Sequence, residues 1–275
     1  AWLRERKAQS EGSFITHAQE DQAGAIGHYW EQLGAPVYAR PFTANIARRK
    51  LDEHGHPESV VKVVQPYPEM VTCGPMPVSY LPISHTIPES AGLLIDTPEG
   101  RVLHSGDFKI DETPVVGDPW NEALWEEVSK DGVKALVCDS TNVFSREPGR
   151  SEASIGDAIA DMMKEAKGMV VATTFASNIA RLKTLAIAAQ KADRSVVLLG
   201  RAMRRMVEAA TDVGILKGFP SVVSPEDALQ MPRENVMLLV TGSQGERRAA
   251  SAQLAQGNYM GIKLTDGDTF LFSSK

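Results

Sequence analysis

Thr16-His17-Ala18-Gln19-Glu20-Asp21-Gln22-Ala23-Gly24-Ala25 crowds an imidazole, two carboxylates and two carboxamides into one short polar run. The run follows the strand-like Phe14-Ile15-Thr16 and precedes a small-residue segment, 23–33, that reads as a helix. Its polar side chains therefore project from a strand-end loop. A hydrolytic dinuclear site needs imidazoles and carboxylates converging at such a loop. Those donors suit zinc or manganese, and an open coordination position activates water. Taken alone, the run is a weak signal, and a lone strand-end histidine reads as a surface or structural one.

Outward from it, Pro36-Val37-Tyr38-Ala39 reads as the next strand, and Thr43 is placed to cap a helix running to about Glu53. Residues 59–106 are rich in Val, Ile, Pro and Gly and read as short strands with turns. The clearest strands are Val60-Val61-Lys62-Val63-Val64, Leu93-Leu94-Ile95-Asp96 and Arg101-Val102-Leu103-His104. Pro98-Glu99-Gly100 is a hairpin turn between the last two. From about Val133 the pattern changes. Ala135-Leu136-Val137-Cys138 reads as an apolar strand of the buried, parallel kind. Helices at 154–166, 178–192, 203–213 and 247–256 then alternate with strands at 169–173, 195–199 and 236–240. This is a βαβ series. The patterning predicts a β-rich layered domain over 1–148 and a parallel α/β domain over 149–275, with the boundary near Pro148-Gly149.

Composition bounds the function. The chain has 275 residues, 43% hydrophobic and 23% charged, enough to bury a sizeable core. Its formal net charge of −6 gives no global basic field, so RNA contact requires a local basic patch. Cys73 and Cys138 stand far apart, read as two buried small hydrophobes, and fit a reducing cytoplasm better than a disulfide framework. No apolar run is long enough for a membrane span, and the protein is expected to act in the cytoplasm without a membrane. The chain does not begin with Met and stops just after a strand-like run, as expected of a piece of something longer.

Two further runs repeat the logic of the first. Ser84-His85-Thr86-Ile87-Pro88-Glu89-Ser90-Ala91-Gly92 and His104-Ser105-Gly106-Asp107-Phe108-Lys109 each put a metal-ligand type beside small residues after an apolar run. Gly106 permits close backbone approach beside Asp107. Each run alone is an ordinary turn. In order, they supply a His, a His and an Asp.

In combination these runs resemble the metallo-β-lactamase fold, and ribonuclease J in particular. THAQEDQAGA at 16–25 is similar to that family's THAHEDH-x-GA, which contains its His-x-His-x-Asp-His motif. PVYARPFT at 36–43, SHTIPESAG at 84–92 and HSGDFKIDETPV at 104–115 resemble the segments that follow. ALVCDSTN at 135–142 resembles the acidic β-CASP motif, and TTFASN at 173–178 and TGSQGE at 241–246 resemble two further stretches. The resemblance implies an α/β fold: a partial metallo-β-lactamase αββα sandwich with an inserted parallel α/β β-CASP domain. It implies a hydrolase that cleaves RNA phosphodiester bonds, as 5′-to-3′ exonuclease and endonuclease, in RNA processing and decay. The implied cofactor is zinc, with manganese or magnesium as alternatives, and the implied assembly is a homo-oligomer, dimer or tetramer.

By the same carry-over, His17 and His85 match ligands of the first metal, Asp21 a ligand of the second, Asp107 the bridging carboxylate, and Asp139 the acidic residue that orders the site. Ser177 and Asn178 stand at a helix start where backbone donors and the helix dipole suit a phosphate, although N-capping explains the same pair. Arg201, with Arg204 and Arg205, and Arg247, with Arg248, stand near two other helix starts. They form an RNA-backbone patch if those starts share a cleft, and solvated helix faces if not. Gln19 and Gln22 depart from the family, which has histidine at both positions. An amide is a weak zinc ligand beside imidazole, so the first metal keeps His17, His85 and Asp107 while the second keeps only Asp21 and Asp107. A further family histidine ligand is expected beyond Lys275. The departures favour, as an alternative, a catalytically dead homologue that binds RNA or regulates an active partner. A small-molecule hydrolase on the same fold is the remaining reading. Trp120, Trp125, Met162 and Met163 read as core or interface, Glu246 as a helix-start carboxylate, and His28, His54, His56 and His104 as structural or exposed.

Overall fold

Side-chain alternation along short strands sorts the first part of the chain into layers. In the computed structural model, residues 2–146, 149–243 and 245–273 are described. Pro148 of the expected boundary, Gln244 of TGSQGE and the terminal Ser274-Lys275 lie outside them. The chain forms two units, Ala1–Arg150 and Ser151–Lys275.

In the first unit, β1 (Ser13–Phe14), β2 (Val37–Ala39) and β3 (Val61–Val63) form a parallel sheet in that order. A second sheet holds β4 (Val71–Cys73), β5 (Met76–Pro82), β6 (Ala91–Thr97), β7 (Gly100–His104) and β8 (Ala135–Val137), also in chain order. It is antiparallel up to β7, and β8 joins β7 in parallel. Because side chains alternate between faces, Val37 and Ala39 of β2 point one way and pack with Ile26, Ala44, Ala47 and Leu51 of the helices Ile26–Leu33 and Pro41–Asp52. Tyr38 points the other way, with Phe14, into a core shared with Val78, Tyr80, Leu93 and Ile95 of the second sheet. The outer face of that sheet carries Leu81, Leu94 and Leu103, covered by Leu124, Trp125 and Val128 of the helix Glu122–Ser129. The order helix, sheet, sheet, helix is the expected αββα sandwich. Trp125 packs on Gly92, where a Cβ would meet its ring at 2.8 Å, and it stacks on Trp120 with centroids 5.5 Å apart.

The second unit is a four-stranded, all-parallel sheet in the order β10 (Ser195–Leu199), β11 (Val236–Val240), β9 (Val170–Thr173), β12 (Thr269–Phe272). β9, β11 and all of β10 but Ser195 are buried, as continuous apolar runs covered on both faces require. Helices Gly156–Glu165, Ile179–Lys191, Arg201–Asp212 and Ala250–Ala255 alternate with the strands. Among the described residues, no helix is long and apolar enough to cross a membrane.

Several local expectations are corrected. The run 135–138 is parallel but not buried: β8 is the edge strand, with Leu136 61% and Val137 52% exposed. Cys138 is exposed with it, while Cys73 is buried, and both are free. Thr43 is not the cap of its helix. Pro41, with its fixed backbone angle, opens the helix, and the Glu89 carboxylate accepts from the Phe42 amide at 2.5 Å. The helix expected over 23–33 is two pieces, Glu20–Ala23 and Ile26–Leu33, separated at Gly24-Ala25. The helix expected from 247 begins at Ala250, because Ala249 N bonds Glu246 O in a turn that consumes the preceding residues. Of the two adjacent methionines, Met163 is core and Met162 is exposed.

Candidate metal centre

The runs that the sequence singled out all leave the carboxyl ends of strands. His17 lies three residues past β1, His85 three past β5, Asp107 three past β7 and Asp139 two past β8. β5 and β7 are both antiparallel to β6, and β8 is parallel to β7, so their carboxyl ends share one sheet edge. β1 is joined to that edge from the other sheet by the Ala91 N to Thr16 O hydrogen bond of 3.1 Å. The sandwich therefore gathers loops from distant parts of the chain.

His17, His85 and Asp107 each offer a donor atom, and these atoms lie within 4.8 Å of one another. His17 is fully buried. Its Nδ1 pairs with Thr16 Oγ1 at 3.1 Å, and its Nε2 lies 3.8 Å from Asp107 Oδ2 with no hydrogen-bond partner. A buried polar atom without a partner is uncommon enough to require a reason. Two imidazoles and a carboxylate converging on it fit a single zinc-like ion. Burial lowers the pKa of His17, against the opposing pull of Asp107 and Asp21. Burial, and then the neighbouring His17, push His85 down to about 4. Both rings are thus neutral near pH 7, with lone pairs available as ligands. Burial raises the pKa of Asp107; Asp139 and Asp21 act in the same direction and His17 opposes them.

The loops are held by hydroxyls. Ser84 Oγ donates to Lys109 O and accepts from Asp111 N at 3.0 Å, which ties the His85 loop to the Asp107 loop. Ser105 Oγ donates to Gly106 O at 2.6 Å and accepts from Asp139 N at 2.9 Å, which ties the Asp107 loop to the Asp139 loop. Gly106 has φ 60, and a Cβ there would meet Ala91 O at 2.8 Å and Thr16 Cβ at 3.2 Å. His104, read as structural, accepts from Gly106 N through Nδ1 at 2.9 Å. Burial opposes ionisation of Asp139, yet hydrogen bonds from the Thr141 hydroxyl and amide and from the Phe108 amide outweigh it and hold its pKa low. Asp139 is therefore an ionised, oriented carboxylate beside the three converging donors.

Gln19 and Asp21 are placed differently. Gln19 accepts from His85 Nε2 through Oε1 at 3.2 Å and donates to Thr86 Oγ1 at 3.1 Å. Its amide is thus woven into the site by hydrogen bonds. Asp21 is exposed, accepts from the Gln22 amide at 3.2 Å, and is not one of the converging donors. The structure brings His17, His85, Asp107 and Asp139 together and leaves Asp21 at their margin. The sequence reading missed the part of Gln19 in the network and the bracing by Ser84 and Ser105. The signal was the Ser directly before His85 and after His104, small hydroxyl residues flanking ligand types.

In the second unit, Asn178 caps the helix Ile179–Lys191, accepting from Arg181 N at 2.9 Å, and half-buried Ser177 precedes it. Arg201 begins the helix after β10, while Arg247 lies in the turn after β11 and begins no helix. Both are exposed. They follow neighbouring parallel strands and so stand at the same sheet edge. That edge also carries buried hydroxyls of Thr173, Thr174 and Ser243 that have no hydrogen-bond partner. The sequence signal for them was a pair of threonines closing an apolar strand.

Residues 167–275 match the family model "Ribonuclease J, beta-CASP domain". The whole chain is 37% identical to Ribonuclease J of Sinorhizobium meliloti, covering 49% of that protein. It is 36% identical over 94% of its length to Ribonuclease J 1 of Streptococcus pyogenes, covering 46%, and 36% identical over 99% to Ribonuclease J of Synechocystis, covering 43%. The chain spans about half the length of the curated relatives it matches. Its fold resembles a crystal structure of a protein of unknown function from Enterococcus faecalis V583, with TM-score 0.58 at 15% identity, over 83% of this chain and 58% of the other.

Proposed function

We propose that this chain, which belongs to the ribonuclease J family, forms the metal-binding and RNA-contacting part of a ribonuclease that hydrolyses phosphodiester bonds in RNA processing and decay. The observation that carries the reading is the convergence of His17, His85 and Asp107 around the partnerless His17 Nε2. These three residues would hold a divalent ion, zinc by donor chemistry, with manganese or magnesium as alternatives. When bound, the ion supplies Lewis acidity toward a phosphoryl oxygen. Asp107 anchors it with a carboxylate, Asp139 orients the surrounding loop through Ser105, and Asp21 supplies negative charge at the rim. On the second unit, Ser177, Asn178, Arg201 and Arg247, with the Thr173, Thr174 and Ser243 hydroxyls, offer hydrogen-bond donors and charge to an RNA backbone. The protein is proposed to act in the cytoplasm as a homo-oligomer, dimer or tetramer.

A second reading is favoured by a specific observation. Gln19 fills its place with hydrogen bonds to His85 and Thr86, and Asp21 does not converge with the other donors. A centre limited to one ion would bind RNA without cleaving it. The test uses a 5′-labelled single-stranded RNA with zinc or manganese, comparing the chain, Asp107→Asn and Gln19→His/Gln22→His. Metal-dependent cleavage abolished by Asp107→Asn supports the nuclease. RNA retention without cleavage, with turnover only in the histidine variant, supports the binding-only reading. Neither retention nor cleavage by any of the three overturns both.

A further inference from the structure

Outside the centre already described, histidines read as structural or exposed come together on the outer helical layer of the first unit. His28 lies on the helix Ile26–Leu33, and His54 and His56 lie just past the end of Pro41–Asp52. His28 Nδ1 and His54 Nε2 are 3.1 Å apart, with ring centroids at 4.2 Å and planes at 71°. His54 and His56 are stacked at 6.4 Å, and His56 Nδ1 is 3.9 Å from Glu31 Oε1.

We infer that His28 Nδ1 and His54 Nε2 form a second, peripheral site for a borderline transition-metal dication such as Zn2+, Cu2+ or Ni2+.

The tautomers carry the argument. His54 Nδ1 lies 2.9 Å from Lys50 O, which can only accept, so the proton sits on Nδ1 and His54 Nε2 accepts from His28 Nδ1–H; an ion takes both nitrogens once that His28 proton moves to the ring's other nitrogen. An imidazole that donates its far nitrogen to a backbone carbonyl is fixed in tautomer and orientation in the way that metal-ligating histidines are. His56 is fixed likewise, with Nε2 donating to Gly27 O at 2.9 Å. Two imidazole nitrogens on a common tetrahedral ion stand about 3.3 Å apart for metal–nitrogen bonds of about 2.0–2.1 Å, close to the separation already present. The turn that carries the rings is braced by hydrogen bonds from His54 N and His56 N to Leu51 O and from Gly55 N to Asp52 O, with Gly55 at φ 73. The His54 ring lies against Gly27, where any Cβ would strike its Nδ1. Both rings are exposed, so water completes the coordination. The inference stands apart from the proposed nuclease centre, whose ligands belong to other loops.

Copper(II) titration of the whole chain, followed by electron paramagnetic resonance and by metal content after dialysis, tests it. The chain should bind two equivalents, one at each imidazole pair, and the single variants His28→Gln and His54→Gln should each remove one equivalent with its own two-nitrogen component of the signal. His17→Gln/His85→Gln should leave that component in place while losing its own equivalent. Circular dichroism confirms the fold of each variant, and His28→Gln sits on an exposed helix position. If folded His28→Gln and His54→Gln keep the full metal complement and the unchanged signature, the inference is overturned. Loss confined to His17→Gln/His85→Gln has the same consequence.

Discussion

Glu152→Ala should cost the second unit about 3–5 kcal/mol, the usual penalty for stranding one partner of a buried ion pair. Glu152 and Arg181 have side chains only 9% and 12% exposed and meet in two bonds, Nε to Oε1 at 2.7 Å and Nη2 to Oε2 at 3.1 Å. Arg181 Nη1 also donates to Ser273 O and Oγ at 3.0 and 2.9 Å. One guanidinium therefore joins the first turn of the unit to the residue after its last strand. Water has little access to replace a lost carboxylate, so the guanidinium keeps its desolvation cost without its partner. Glu152→Gln, which retains an acceptor oxygen, should lose less, about 1–3 kcal/mol. Arg181→Met/Glu152→Met removes both charges and should recover most of the loss, because apolar replacement of a buried pair is often neutral. Urea unfolding followed by far-UV ellipticity reads the effect. All four tryptophans, Trp2, Trp30, Trp120 and Trp125, lie in the first unit, so their fluorescence is an internal control. A Glu152→Ala loss below about 1 kcal/mol, or a double methionine variant worse than the single alanine, would refute the reasoning.

Asp268, with a side chain only 6% exposed, accepts from Met169 N at 2.9 Å and Thr265 N at 2.8 Å and pairs with Arg233. Burial opposes its charge, but these partners outweigh it and hold the folded pKa below its ordinary value. The stability it lends is present above the unfolded value of about 4 and is lost as pH falls through the folded one. Asp268→Asn should cost about 1–3 kcal/mol at neutral pH and flatten the acid limb of a stability-against-pH curve; an unchanged acid limb would show that another carboxylate controls it. Gly106→Ala should weaken zinc binding by about tenfold or more, the scale of a disturbed supporting shell. The left-handed backbone and the nearby Ala91 carbonyl leave no room for a methyl group. Equilibrium dialysis against zinc measures it, and unaltered zinc content would mean that the loop tolerates the shift.

What could be read in advance divides along a physical line. Strand alternation in Leu93-Leu94-Ile95 and the two-residue reversal at Pro98-Glu99 are local, and the observed pairing of Thr97 with Gly100 follows from them. The ligand types at His17, His85 and Asp107 were legible because each follows an apolar strand, and the sandwich places those strand ends on one side. Burial of a strand is not local. Ala135-Leu136-Val137 has the composition of a central strand, yet its depth depends on what lies beyond β8, and β8 is an edge. The Thr43 cap expectation failed for the same reason, since the Glu89 carboxylate that receives Phe42 N comes from 47 residues away. Pairing of His28 with His54 is a third case, set by how two helices pack rather than by either helix alone. Gln19 shows how the two kinds of information combine. Sequence marks it as an amide where an imidazole would ligate. Only the fold reveals that the amide is held from both sides, by His85 and by Thr86. Substituting histidine there therefore removes the Gln19 hydrogen bonds to both neighbours at the moment it adds a ligand, so any gain in metal affinity appears net of that loss.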